Sequence, residues 1–175
     1  EEKGTTEAAI WNYKQALEFD PENKLALQRL GIVAVNQGDD KTAVEYLQQA
    51  FYQDPDAVDT LLPLGFALIR QRKPDLAISM LARAAALNQE NPLVHRNLGV
   101  ACSSVGWQDA AETQFRRALK LDETDSESAF NLAVTLAAQK PPKMAEASKW
   151  YKHAREHGAA ADPQLDDYFG FKPEE

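Results

Sequence analysis

The sequence predicts an all-α solenoid, a row of helix-turn-helix units stacked along one axis. Three observations carry that prediction. First, the pair Leu30-Gly31 returns as Leu64-Gly65, Leu98-Gly99 and Leu132-Ala133, each step being 34 residues. Second, twelve residues after each glycine stands an alanine (Ala43, Ala77, Ala111), then a large apolar residue four on (Leu47, Leu81, Phe115) and an alanine three beyond (Ala50, Ala84, Ala118). Third, turn signals separate the two series: NQGDD at 36–40, RKPD at 72–75 and VGWQD at 105–109. A fixed period of this length marks units that cannot bury an apolar face alone and stack on their neighbours. Offsets of four and three place each alanine–large–alanine set on one helical stripe, and the Gly, Pro, Asn and Asp clusters interrupt helix.

Taken in order, residues 1–23 read as the second half of a truncated unit. Ala9, Tyr13 and Ala16 carry the stripe backwards, Pro21 closes the period, and Gly4 matches the turn glycines Gly38 and Gly106. With its first helix missing, the chain reads as a fragment of a longer one. Because it opens on Glu1 rather than Met, the lack of a signal peptide says nothing about export. Whole units follow at 24–57, 58–91 and 92–125. In them Gly31, Gly65 and Gly99 let paired helices approach closely, and the alanines offer the matching shallow surface. Pro63 falls inside a first helix, where it either kinks the axis or marks a late helix start. The unit at 126–160 is degenerate: Ala147, Tyr151 and Ala154 keep the stripe, but Ala133 to Ala147 is fourteen residues rather than twelve. The extra length falls at QKPPK (139–143), where two prolines lengthen the turn. Residues 161–175, through PQLDDYFGF, are expected to fold back as a cap on the last helix.

These units resemble tetratricopeptide repeats. That family pairs a leucine-glycine in the first helix with alanine, an aromatic or leucine, alanine and a closing proline in the second. The resemblance covers nearly the whole chain and implies a right-handed α-α superhelical solenoid whose first helices line a concave groove. The departures are local. Leu27 and Ala34, Leu61 and Leu68, then His95 and Cys102 replace the family's tryptophan and tyrosine. Gln89 and Glu123 replace the closing proline, which Pro21 and Pro55 retain.

Composition narrows the function. Nineteen Lys and Arg against 27 Asp and Glu give a net charge of −8 with no basic stripe, which argues against nucleic acid. No apolar run approaches the roughly 18 residues of a membrane span. One cysteine excludes an internal disulfide and a multi-cysteine metal site. The window HRNLGVACSSVGW (95–107) gathers reactive residue types, yet the register is against chemistry. Cys102 stands where Ala34, Leu68 and Leu136 stand, on an inward packing face, and His95 where Leu27, Leu61 and Ala129 stand, as a semi-buried contact with the preceding unit. His153 and His157 have the i, i+4 spacing of zinc ligands but no third ligand, so the expected role is a favourable charge at a helix end. Asp166 and Asp167 read as solvated tail charges. There is no phosphate-binding glycine loop. The expectation is a chain without catalytic residues, metal or cofactor, and so not an enzyme.

The groove implied by the resemblance receives, in register, Gln28, Ile32 and Val35, then Leu62, Phe66 and Ile69. The next units add Arg96, Val100 and Ser103, then Phe130, Val134 and Ala137. A largely apolar row on an expected exposed face marks an interaction site, so the reading is a scaffold that binds a protein or peptide. Asn97 and Asn131 occupy equivalent positions, and an amide that donates and accepts can hold a peptide backbone. The O-GlcNAc transferase members of the family use an asparagine ladder just before their leucines, as in NLG (97–99) and NLA (131–133); here Arg29 and Pro63 break it upstream. The carboxylate clamp of chaperone-binding members needs lysine, asparagine and arginine across three units, and only scattered basic residues occur. Two alternatives stand beside the scaffold. One is self-assembly into a homo-oligomer through the uncovered N-terminal helix and the aromatic tail (Tyr168, Phe169, Phe171). The other is the targeting region of a larger enzyme.

Overall fold

The computed structural model describes residues 2–171, and they are all-α. The helices are α1 (Glu2–Phe19), α2 (Lys24–Gln37), α3 (Asp40–Gln53), α4 (Val58–Arg70), α5 (Pro74–Leu87), α6 (Pro92–Ser104), α7 (Gln108–Leu121), α8 (Ser126–Ala138), α9 (Met144–Glu156) and α10 (Pro163–Phe169). They fall into two compact bodies, Glu1–Gln89 and Glu90–Glu175. In the first body α2 pairs with α3 and α4 with α5, while α1 lies on α2, α3 on α4, and α2 beside α4. In the second, α6 pairs with α7 and α8 with α9, with α7 on α8 and α6 beside α8. Each body thus has a layer of first helices and a layer of second helices.

The alanine–large–alanine stripes form the core. Ala43, Leu47, Ala50, Ala77, Leu81, Ala84, Ala111, Phe115, Ala118, Ala147, Tyr151 and Ala154 are all fully buried. The first-helix glycines are required by contact. A Cβ on Gly31 would sit 2.5 Å from Leu47 Cγ, one on Gly65 equally close to Leu81 Cγ, and one on Gly99 2.7 Å from the Phe115 ring. In α1 the same stripe is only half-buried at Ala9, Tyr13 and Ala16.

Helix starts follow local chemistry. Asn23, Asp39, Asn91, Asp125 and Asp162 accept hydrogen bonds from backbone N–H groups in the first turns of α2, α3, α6, α8 and α10. Gly38 and Gly106 close the first helices of their units with φ of 79° and 81°, and Arg72 takes the left-handed conformation at the turn between α4 and α5, with φ 58°.

Three expectations need correction, and one open alternative, at Pro63, is decided. Gly4 is not a turn residue: α1 runs through it, since a helix tolerates glycine at a cost of about 1 kcal/mol. Pro63 does not mark a late start, because α4 begins at Val58 and carries the proline inside it. The proline leaves the Asp59 carbonyl without its usual N–H partner. His95 is buried rather than semi-buried, and its Nδ1 lies 2.8 Å from Gln114 Oε1 of the helix paired with its own.

Asp166 is not a solvated charge. Tyr151 Oη donates to its Oδ1 at 2.7 Å, and Arg155 Nη1 pairs with the same oxygen at 3.0 Å. The Phe169 and Phe171 rings lie 5.5 Å and 5.4 Å from that of Tyr151, so α10 and Phe171, two residues beyond it, pack on α9 through one buried tyrosine.

The longer turn at 139–143 is tied down by charge. Glu112 of α7 accepts from Gln139 Nε2 at 2.6 Å and Lys143 Nζ at 2.9 Å, and pairs with Arg116 at 2.8 Å. Arg116 also reaches Glu146 at 2.6 Å. Burial pushes the Glu112 carboxyl up, but these three donors together outweigh it and bring its pKa down to about 2.

Candidate functional site

The residues assigned to the groove all lie on first helices, α2 and α4 in the first body and α6 and α8 in the second. In the first body, Gln28, Ile32 and Val35 of α2 and Leu62, Phe66 and Ile69 of α4 are all half-buried. These side chains are thus partly covered rather than fully exposed. Gln28 serves structure: its Nε2 donates to Thr60 Oγ1 of α4 at 3.2 Å, linking the two first helices.

Sequence reasoning missed Arg70. Its guanidinium lies 5.5 Å from the Phe66 ring centroid, donates to the Val35 carbonyl at 3.3 Å and pairs with Asp40 at 3.0 Å. The signal was available, since Phe66 and Arg70 are four apart on one helix.

In the second body, Arg96, Asn97, Val100 and Ser103 of α6 stand in repeat register with Phe130, Asn131, Val134 and Ala137 of α8. All are half-buried except Val134, which is 38% exposed. Arg96 holds the first turn of α8, pairing with Asp125 at 2.8 Å and Glu127 at 3.2 Å. The two asparagines differ. Asn97 Nδ2 donates to the Leu93 carbonyl of its own helix at 2.9 Å, whereas the Asn131 amide makes no side-chain hydrogen bond among the described residues. Asn131 lines a cleft of about 480 Å³ with Ser126, Glu127, Phe130 and the 158–162 loop. Phe130 backs that cleft, its ring 6.1 Å from that of Tyr151.

The reactive residue types are placed for packing. Cys102 is buried, and burial pushes its thiol pKa up, away from the thiolate a nucleophile needs. His153 Nε2 lies 2.7 Å from the Glu123 carbonyl and His157 Nδ1 2.9 Å from that of His153. Those nitrogens are therefore donors. Among the described residues no three His, Cys, Asp or Glu side chains gather as metal ligands, and no helix is long and apolar enough to cross a membrane.

Profiles described as tetratricopeptide repeat match residues 2–62, 37–100 and 97–125. The BBSome complex member BBS4 of Bos taurus is 29% identical over 132 residues, which is 75% of this chain and 25% of that protein. The chain thus spans between 25% and 32% of the length of the BBS4 proteins it matches, the Caenorhabditis elegans bbs-4 at 29%. Among solved structures, MamA superposes with a TM-score of 0.79 at 26% identity, over 89% of this chain and 90% of that one. YrrB, described as a TPR protein with an unusual peptide-binding site, gives a TM-score of 0.79 at 25% identity, over 95% of this chain and 84% of that one.

Proposed function

The chain belongs to the tetratricopeptide repeat family, and from that premise we propose that it is a non-catalytic scaffold holding a peptide or helix of a partner protein on its first-helix faces. The observation that carries this reading is the distribution of apolar side chains. Each first helix buries one stripe against its second helix, yet keeps a further apolar set half-open: Ile32, Val35, Leu62, Phe66 and Ile69 in one body, Val100, Phe130 and Val134 in the other. Packing within the chain covers these side chains only in part, and a half-open apolar row is a surface that a partner can bury. Asn131, with its amide uncommitted beside Phe130, is the residue suited to hold a backbone; Gln28, Arg96 and Asn97 support the surface instead. The repeat boundaries 24–57, 58–91, 92–125 and 126–160 belong to the same proposal, as does the cap at 161–175.

The test is a partner pull-down with Phe66→Glu combined with Phe130→Glu. The expected result is loss of captured partners with helical circular dichroism unchanged. Because Phe130 also touches Tyr151, Phe66→Glu with Val134→Glu serves as a second variant that spares that contact. Retained capture by both pairs would sink the groove reading.

Self-assembly is a second reading, in which Tyr168, 58% exposed on α10, contacts another copy of the chain. It predicts concentration-dependent sedimentation that Tyr168→Glu suppresses. A single monomeric species at all concentrations would exclude it.

A further inference from the structure

The second-helix side of the C-terminal body holds a cleft that the groove reading does not use. It measures about 350 Å³ and is lined by Arg116, Leu119, Lys120 and Glu123 of α7 and its end, and by Trp150 and His153 of α9. The floor is apolar: Leu119 is buried and Trp150 half-buried, its ring edge-on to His153 at 5.4 Å. His157 stacks behind His153 at 4.2 Å, so three rings run along one side. At the same repeat register in the N-terminal body the larger Phe51 stands where Leu119 does, and Met80 where Trp150 does.

The rim carries two cations, Arg116 and Lys120, in a chain whose net charge is −8. Arg116 is held by Glu112 and Glu146 and so is fixed in place. Lys120 is exposed and makes no ion pair among the described residues. His153 Nε2 is engaged by the Glu123 carbonyl. Glu123 is the one acidic lining residue. A cleft of this volume is at the small end of ligand sites and takes one side chain rather than a cofactor.

We propose that this cleft is a second docking site, taking one aromatic or large aliphatic side chain of a partner polypeptide that carries a carboxylate within about a helical turn of it. The apolar group packs on Leu119 and the Trp150 face, and the carboxylate meets Lys120, while Arg116 stays paired with Glu112 and Glu146. An acidic, apolar segment is selected over a basic one because Lys120 gains a partner that the chain does not supply. The site lies on a different helix layer from the groove, so both can be occupied together.

Calorimetric titration with short synthetic peptides tests this. The first peptide carries a phenylalanine among aspartates, the second the same phenylalanine among lysines, the third a glycine in place of the phenylalanine. The expected result is binding of the first at least about tenfold tighter than the others. Lys120→Glu should weaken it about five- to tenfold and remove its salt dependence. Trp150→Ala should weaken it by about tenfold or more, with Trp150→Phe retaining most binding and showing that helix α9 is intact. The Phe66→Glu, Val134→Glu pair should leave it unchanged, which separates this site from the groove. Equal affinity for acidic and basic peptides, or no response to Lys120→Glu, overturns the proposal. So does loss of binding in the groove pair.

Discussion

Tyr151→Ala is expected to cost the C-terminal body about 3–5 kcal/mol, the range for truncating a fully buried aromatic side chain. Tyr151 is wholly buried, stacks near Phe130, Phe169 and Phe171, and its hydroxyl donates to Asp166 while accepting from the Asp162 backbone N–H at 3.1 Å. Its loss removes both the floor under α10 and the hydroxyl that orients Asp166. In repeat arrays stability is close to a sum of neighbour terms, so damage stays local. The thermal midpoint should fall by roughly 10 °C or more, with limited proteolysis cutting first in residues 158–170. Tyr151→Phe, which deletes only the hydroxyl, should cost about 1–2 kcal/mol and keep α10 protected. A midpoint unmoved in Tyr151→Ala would mean that α10 contributes nothing to the stability of α9.

The fold was legible because its signals are periodic. A stripe repeated every 34 residues survives local substitutions, so Phe115 or Tyr151 in place of Leu47 did not obscure it. Features that depend on what stands opposite were not legible. Arg72 adopts the left-handed turn where glycines stand in two other units, because the turn geometry is imposed by the helices it joins. Asp166 looked like a tail charge because its partners Tyr151 and Arg155 lie across a fold-back that no local pattern encodes.

The candidate site was legible as a register and not as a set of roles. Gln28 and Arg96 sit at one register position, and both turned out to reach the neighbouring first helix, at Thr60 and at Asp125. Asn97 and Asn131 share a register too, yet one amide is satisfied by its own helix and the other lines a cleft. Repeat position fixes where a side chain stands. Which partner it takes depends on residues that the repeat does not constrain.

Asp125→Ala is expected to cost about 2–4 kcal/mol, because three interactions end on one carboxylate. It caps α8 by accepting from the Ser128 N–H at 3.2 Å and the Ser128 hydroxyl at 2.6 Å, and it pairs with Arg96 at 2.8 Å. Asp125 is buried, so truncation strands a largely covered Arg96 with only the exposed Glu127 as partner. The lost cap alone accounts for about 1 kcal/mol, and the stranded charge for the rest. Asp125→Ser restores a cap without the charge and should recover about 1 kcal/mol; chemical denaturation resolves the two variants. Adding Arg96→Met to Asp125→Ser removes the stranded cation and should regain much of the remainder, since replacing both partners of a covered pair costs less than replacing one. The same variants decide what Arg96 does for function. As a support for α8 it should change partner binding only as far as it changes stability. Arg96→Met that weakens capture while leaving the denaturation midpoint unmoved would return Arg96 to the contact surface.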